Sequence, residues 1–265
     1  MIVEKKKLPH KILRKKQMFE ELKPHLIELR KRLLISVLCV IVMFFICFTF
    51  NKYILDVLTM PLEAVLPEIS KQINFIEMAE PLFTAMKVAF FAAFLLSLPV
   101  IFWQFWSFVA PGLYDNEKRL VVPFVIFASV MFILGCVFCY FVVVPFTFKF
   151  LIDFGASVQN FKPIISIGAY VGFFTKLMIA FGLAFEMPVL TYFFAKLGLI
   201  DDAFLKRQFR IAVLIIFVFS AMMTPPDVFS QFLLAIPLCG LYGISILIAK
   251  KVNPTPTDNN ERNKQ

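Results

Sequence analysis

Three carboxylates sit in surroundings that suit them to binding: Glu28, Glu117 and Glu186. A carboxylate pairs with a guanidinium through two parallel hydrogen bonds, a fork that an ammonium cannot reproduce. Glu28 lies in HLIELRKRLL, residues 25–34, with Arg32 one turn on in the favourable acid-before-base order. A surface helix pair of ~0.3–0.5 kcal/mol explains that spacing as well as a binding role does. Glu117 lies in APGLYDNEKR, residues 110–119, and its helical neighbours Leu113, Tyr114, Leu120 and Val121 are not basic. It is therefore open to a foreign Arg or Lys.

Glu186 is the one charge in the apolar run 177–195. An ionisable group at that depth costs several kcal/mol and faces a partner or a wet cavity, so it either serves a function or locks two helices together. Lys176 lies ten residues earlier, ~15 Å along a helix axis and on another face, so it is not an evident partner. Asp227 follows Pro225-Pro226 where a helix N-cap is expected, and capping explains it more simply than ligand binding. Gln231, one turn further, is expected to seek a partner on a neighbouring helix.

Some chemistry is excluded. The two histidines, His10 and His25, precede the first apolar run, so no His-based metal or catalytic site lies within the membrane, and no cofactor is expected. The nine glycines form no G-x-x-x-x-G-K-[ST] phosphate loop. Any transport must draw on a partner or on the membrane potential. The five cysteines all lie in apolar runs and read as small buried hydrophobes; the pair Cys136 and Cys139 lacks a redox context.

The elements that position these groups are membrane helices. The chain has 265 residues, of which 60% are hydrophobic, above the roughly 45–50% of soluble domains. An all-α, polytopic membrane protein follows. Expected spans are 33–50, 88–110 (bent at Pro99, with Trp103 and Trp106 in the inner aromatic belt), 120–144 (leaving at Pro145), 164–195, 211–223 and 228–249. The fifth has thirteen residues, ~20 Å against ~30 Å of hydrocarbon, and implies local thinning. A short amphipathic piece, DVLTMPLEAVLP, is expected at the outer surface with Pro61 and Pro67 as corners, and a second outer loop over 146–166.

Charge sets the orientation. Residues 1–32 hold eleven Lys/Arg against four Glu, whereas 51–80 hold two Lys against five acids. Basic flanks stay inside, which places both termini in the cytoplasm. The net charge of +9 is mostly in that tail and suits anionic lipid rather than nucleic acid. The N-terminus does not read as a cleaved signal peptide. Three regions result: a loosely structured basic tail (1–24), a six-span domain (25–250) and a disordered tail (251–265).

HLIELRKRLL at 25–34, FWSFVAPGLYDNEKRLVVPF at 105–124, FGLAFEMP at 181–188 and TPPDVFSQFLLAIP at 224–237 resemble the TatC family, the multi-spanning receptor of the twin-arginine protein translocase. The resemblance covers about residues 22–250. It implies a six-span, glove-shaped fold with short fifth and sixth spans in the bacterial cytoplasmic (inner) membrane. It implies a non-enzymatic receptor that recognises paired arginines of signal peptides and, with single-span partners of the TatA/TatB type, exports folded proteins on the proton-motive force, as part of an oligomer. In that family the positions matching Glu28 and Glu117 hold the arginine pair. Arg30 and Pro61 match functional motif positions, and Glu186, Asp227 and Gln231 match positions linked to transport and partner contact. The basic extension before Glu20 and Lys176 in the fourth span depart from the family pattern. A competing reading is a proton-coupled small-solute transporter built on Glu186.

Overall fold

The computed structural model describes residues 10–65, 75–109, 121–159 and 165–253. Among them the regular structure is helical: α1 (His10–Thr49), α2 (Asn51–Glu63), α3 (Glu80–Val109), α4 (Val121–Phe138), α5 (Val144–Gln159), α6 (Ile167–Lys196), α7 (Asp202–Arg207), α8 (Phe209–Met223) and α9 (Val228–Val252). Five segments are long and apolar enough to cross a bilayer, and α8 is a shorter apolar helix.

The first helix is longer than expected. It begins at His10 and runs unbroken through position 24, so residues 10–24 are helical rather than loose. Lys, Arg, Gln, Glu, Met and Leu dominate this stretch, and all are strong helix formers. At 40 residues α1 rises ~60 Å, about twice the hydrocarbon thickness, so its basic half projects beyond its apolar half. It packs along α3, and little of its apolar window is buried.

Asn51 ends α1, its amide donating to the Phe48 carbonyl at 2.5 Å, and α2 starts there. Pro61 is not a corner: it is buried inside the last turn of α2 with Leu58, Thr59 and Leu62. Pro67 lies outside the described residues.

The third span also runs beyond its expected exit. At Cys139–Val143 the helix widens to a π turn, in which the Val144 N–H donates to the Cys139 carbonyl five residues back. Pro145 then occupies the first turn of the continuing helix, where its missing N–H costs little. The helix therefore goes on to Gln159, and much of the supposed outer loop 146–166 is α5, which packs on α2.

The fold centres on α6, the most buried span, which touches α3, α4, α8 and α9. Two glycines bring α4 and α6 together: a Cβ on Gly135 would lie 2.6 Å from the Phe181 carbonyl oxygen, and one on Gly182 would strike the Phe132 ring. Small residues let membrane helices approach closely enough to pack without a hydrophobic drive. Phe132, Tyr170, Phe174 and Phe181 fill the centre and are fully buried. Trp106 belongs to the packing rather than to the aromatic belt. It is 3% exposed, stacked on Phe124 (5.2 Å between centroids) and edge-on to Phe193 (4.5 Å), whereas Trp103 is 45% exposed. A bulky indole next to two phenyl rings gains more from dispersion than from the interface.

Candidate functional site

Glu28 and Arg32 face α3 near its C-terminal end. Both bonds that Arg32 makes to Glu28 fall on one oxygen: Nη2 donates to Oε1 at 2.6 Å and Nε at 3.0 Å. Oε2 has no partner among the described residues. Arg32 Nη1 meanwhile reaches Gln104 Oε1 on α3 at 3.5 Å. These groups line a cavity of about 690 Å³, shared with Ile27, Lys31, Ile35 and Trp103. Glu28 is half-buried, so water only partly screens it. The arrangement is a carboxylate with one oxygen committed and one available, beside an amide able to hold Arg32 if it swings away. Arg30 is exposed and lines a shallow groove with Leu34 and Leu38. Glu117 lies outside the described residues, as does its loop.

Glu186 sits in the C-terminal half of α6, 7% exposed, with Oε1 buried and, among the described residues, without a hydrogen-bond partner. Lys176 is exposed and makes no ion pair with it among the described residues. A carboxyl group in that position calls for a wet cavity or a foreign donor.

Asp227 caps α9: its Oδ1 accepts from the Ser230 N–H at 2.6 Å. Its Oδ2 and the Ser230 hydroxyl are buried without partners among the described residues. Gln231 Nε2 donates to the Phe217 carbonyl at 3.1 Å and so ties α9 to α8. Glu186 belongs to a different helix, and no bond joins it to Asp227 or Gln231.

In α2, Pro61 acts through what it removes. A proline donates no N–H to the carbonyl four residues back, which here is Val57. Tyr140, in the π turn, donates its hydroxyl to that carbonyl at 2.7 Å. Tyr170 on α6 donates to the next one, Leu58, at 2.6 Å. Two phenols thus clasp α2 to the membrane core. A second tie is Glu80 at the start of α3. Its Oε2 accepts from Ile76 N at 2.6 Å and Glu77 N at 3.3 Å, and its Oε1 accepts from Gly168 N at 2.7 Å and from the Ser166 hydroxyl. It holds the N-terminal ends of α3 and α6 together.

Sequence reasoning missed Tyr140, Tyr170, Glu80 and Gln104. A signal existed for the tyrosines, since a phenol in an apolar run must find an acceptor and Pro61 frees one. None existed for Gln104, whose partner is 72 positions away. Among the described residues no three His, Cys, Asp or Glu side chains converge as a metal site.

The family model described as "Sec-independent protein translocase protein (TatC)" matches residues 24–237. The chain is 73% identical over 241 residues to the Sec-independent protein translocase protein TatC of Campylobacter jejuni, covering 91% of this chain and 98% of that one. It is 51% identical over 242 residues to its namesake in Helicobacter pylori, covering 91% and 94%. A crystal structure of the twin-arginine translocase receptor TatC superposes with a TM-score of 0.77 at 38% identity, over 86% of this chain and 99% of that one. A second, in the detergent DDM, gives 0.78 at 39% identity, over 85% and 99%. The match runs from the helix that carries Glu28 to the one that carries Gln231. With the family model spanning most of its length and the fold shared with both crystal structures, this chain belongs to the TatC family of Sec-independent protein translocase proteins.

Proposed function

We propose that this chain is the receptor subunit of a twin-arginine translocase in the bacterial cytoplasmic membrane, with both termini in the cytoplasm. The observation that carries the reading is the half-engaged Glu28: its Oε1 is taken by Arg32, its Oε2 is available, and a cavity of about 690 Å³ opens beside it. An arriving signal-peptide arginine takes Oε2, and Gln104 holds Arg32 aside. Glu117 accepts the second arginine of the pair. A guanidinium makes two donors converge on a carboxylate, and lysine cannot, which explains a demand for arginine. Arg30 and Lys31 hold other cations off, so only a paired, directional donor overcomes the basic surface.

The remaining site residues serve transport and assembly. Glu186 and Asp227, each with a buried unpartnered oxygen, offer acceptors to single-span partners of the TatA/TatB type, and Gln231 stiffens the α8–α9 hairpin they meet. Pro61 shapes the outer cap. The subunit is non-enzymatic and binds no nucleic acid. It works in an oligomer on anionic lipid, with the proton-motive force as the energy source.

A pull-down with a twin-arginine signal peptide tests the clamp. Binding to the Glu28→Ala/Glu117→Ala double variant should fall by tenfold or more, on the scale of ~1.5–3 kcal/mol for each charge-assisted bond lost. Binding equal to that of the parent overturns it.

A further inference from the structure

We propose that the groove between the outer halves of α1 and α3 holds one anionic phospholipid of the outer-facing leaflet, with its phosphate on Lys87 and an acyl chain along Val40, Ile41, Phe44 and Phe90. The site does not depend on signal-peptide recognition. The groove has a volume of about 450 Å³, and every side chain lining it is apolar except Lys87. No described element covers it, because α1 leans on α3 from one side and leaves its other flank open.

The position of Lys87 selects the ligand. The stretch 88–109 carries no charge, and its 22 residues rise ~33 Å, close to the ~30 Å of hydrocarbon. Lys87 therefore stands at the outer boundary, level with the lipid phosphates. Its side chain is exposed. Its helical neighbours Phe83, Thr84, Phe90 and Phe91 offer no carboxylate, and neither does α1 opposite, uncharged from Leu33 to Phe50. Glu80, two turns outward, is occupied by Ser166, Gly168 and Ile76. Among the described residues the ammonium has no protein counter-ion, so the neutralising charge comes from the bilayer. An apolar channel running inward from a cation at the phosphate level has the shape of a two-part molecule with an anionic head and a hydrocarbon tail. A partner's transmembrane helix would fill the channel but leave Lys87 unneutralised.

Native mass spectrometry of the full-length protein, purified and equilibrated with equimolar phosphatidylglycerol and phosphatidylcholine of the same acyl length, tests this. The basic residues of 1–32 retain anionic lipid as well, so the readout is the difference between parent and variant. Lys87→Gln should lose one tightly held phosphatidylglycerol, with at least a fivefold fall in that bound state, and Lys87→Arg should keep it. Ile41→Trp, which fills the channel while leaving the cation, should lose the same lipid. Unchanged phosphatidylglycerol retention in both Lys87→Gln and Ile41→Trp overturns the proposal. So does a Met86→Cys crosslink, in native membranes, to another polypeptide rather than to lipid.

Discussion

The phenolic oxygen of Tyr140 lies 2.7 Å from the carbonyl oxygen of Val57, the one carbonyl that Pro61 deprives of its helical donor. The two residues are 83 positions apart. The π turn that carries Tyr140 precedes Pro145, so a proline sits at each side of the contact: one opens an acceptor and the other follows the widened turn that presents the donor. Tyr170 adds a second bond one residue along at Leu58, whose partner four residues on, Leu62, keeps its N–H. Helix α2 is therefore fastened through one carbonyl that its proline leaves open and through a second lone pair on the next.

Removing the hydroxyls should loosen α2. Tyr170 is fully buried, and Tyr170→Phe should cost about 0.5–1.5 kcal/mol, the net worth of one hydrogen bond, because Leu62 still offers the Leu58 carbonyl its N–H. Tyr140 is partly exposed, and Tyr140→Phe should cost roughly 0.5–1.5 kcal/mol, since water replaces part of the bond. Because Ala restores an N–H for Val57, Tyr140→Phe should cost less in a Pro61→Ala background. Thermal unfolding of the purified protein gives the cycle, with an expected coupling on the order of 0.5 kcal/mol or more. Equal costs in both backgrounds would separate Pro61 from Tyr140.

The cap at Asp227 predicts a contrast between two conservative changes. Asn caps a helix as well as Asp does, so Asp227→Asn should leave thermal stability unchanged, whereas Asp227→Ala should lose about 1 kcal/mol. Thermal denaturation of both variants decides it. A similar loss in Asp227→Asn would mean that the negative charge, and not the bond to Ser230, holds the hairpin.

The short α8 predicts a length effect. Fifteen residues rise ~22 Å, a length that crosses hydrocarbon only where the bilayer thins. Inserting six leucines within 211–223 should relieve the mismatch, and if thinning serves transport, export of a twin-arginine passenger should fall sharply while peptide binding stays at the parental level. An in-vitro export assay beside the pull-down reads both. Undiminished export would count against a role for thinning.

Much of the hairpin was legible in advance. Pro225-Pro226-Asp227 announces a turn and a cap because proline lacks an N–H and Asp accepts from the first free ones, and both effects act within a few residues. Gln231 had to bond outward from an apolar helix, and it does so to α8. The brevity of α8 could be counted. Other local inferences failed where distant contacts intervened. Pro61 looked like a corner and Pro145 like an exit, yet both lie within continuing helix. Trp106 looked interfacial, but Phe124 and Phe193 enclose it.

The sequence by itself determined that the chain is a bundle of membrane helices, which of its ends is the basic one, where its carboxylates lie along the spans, and which family it resembles. Hydropathy, charge asymmetry and capping carry that information because each acts within one helix or across one bilayer boundary. Only the tertiary structure decided that both Arg32 bonds fall on one oxygen of Glu28, that Glu80 joins α3 to α6, and that Tyr140 replaces the donor lost at Pro61. Those outcomes depend on which helix faces reach within about 3 Å of one another, and no spacing along a single chain specifies that.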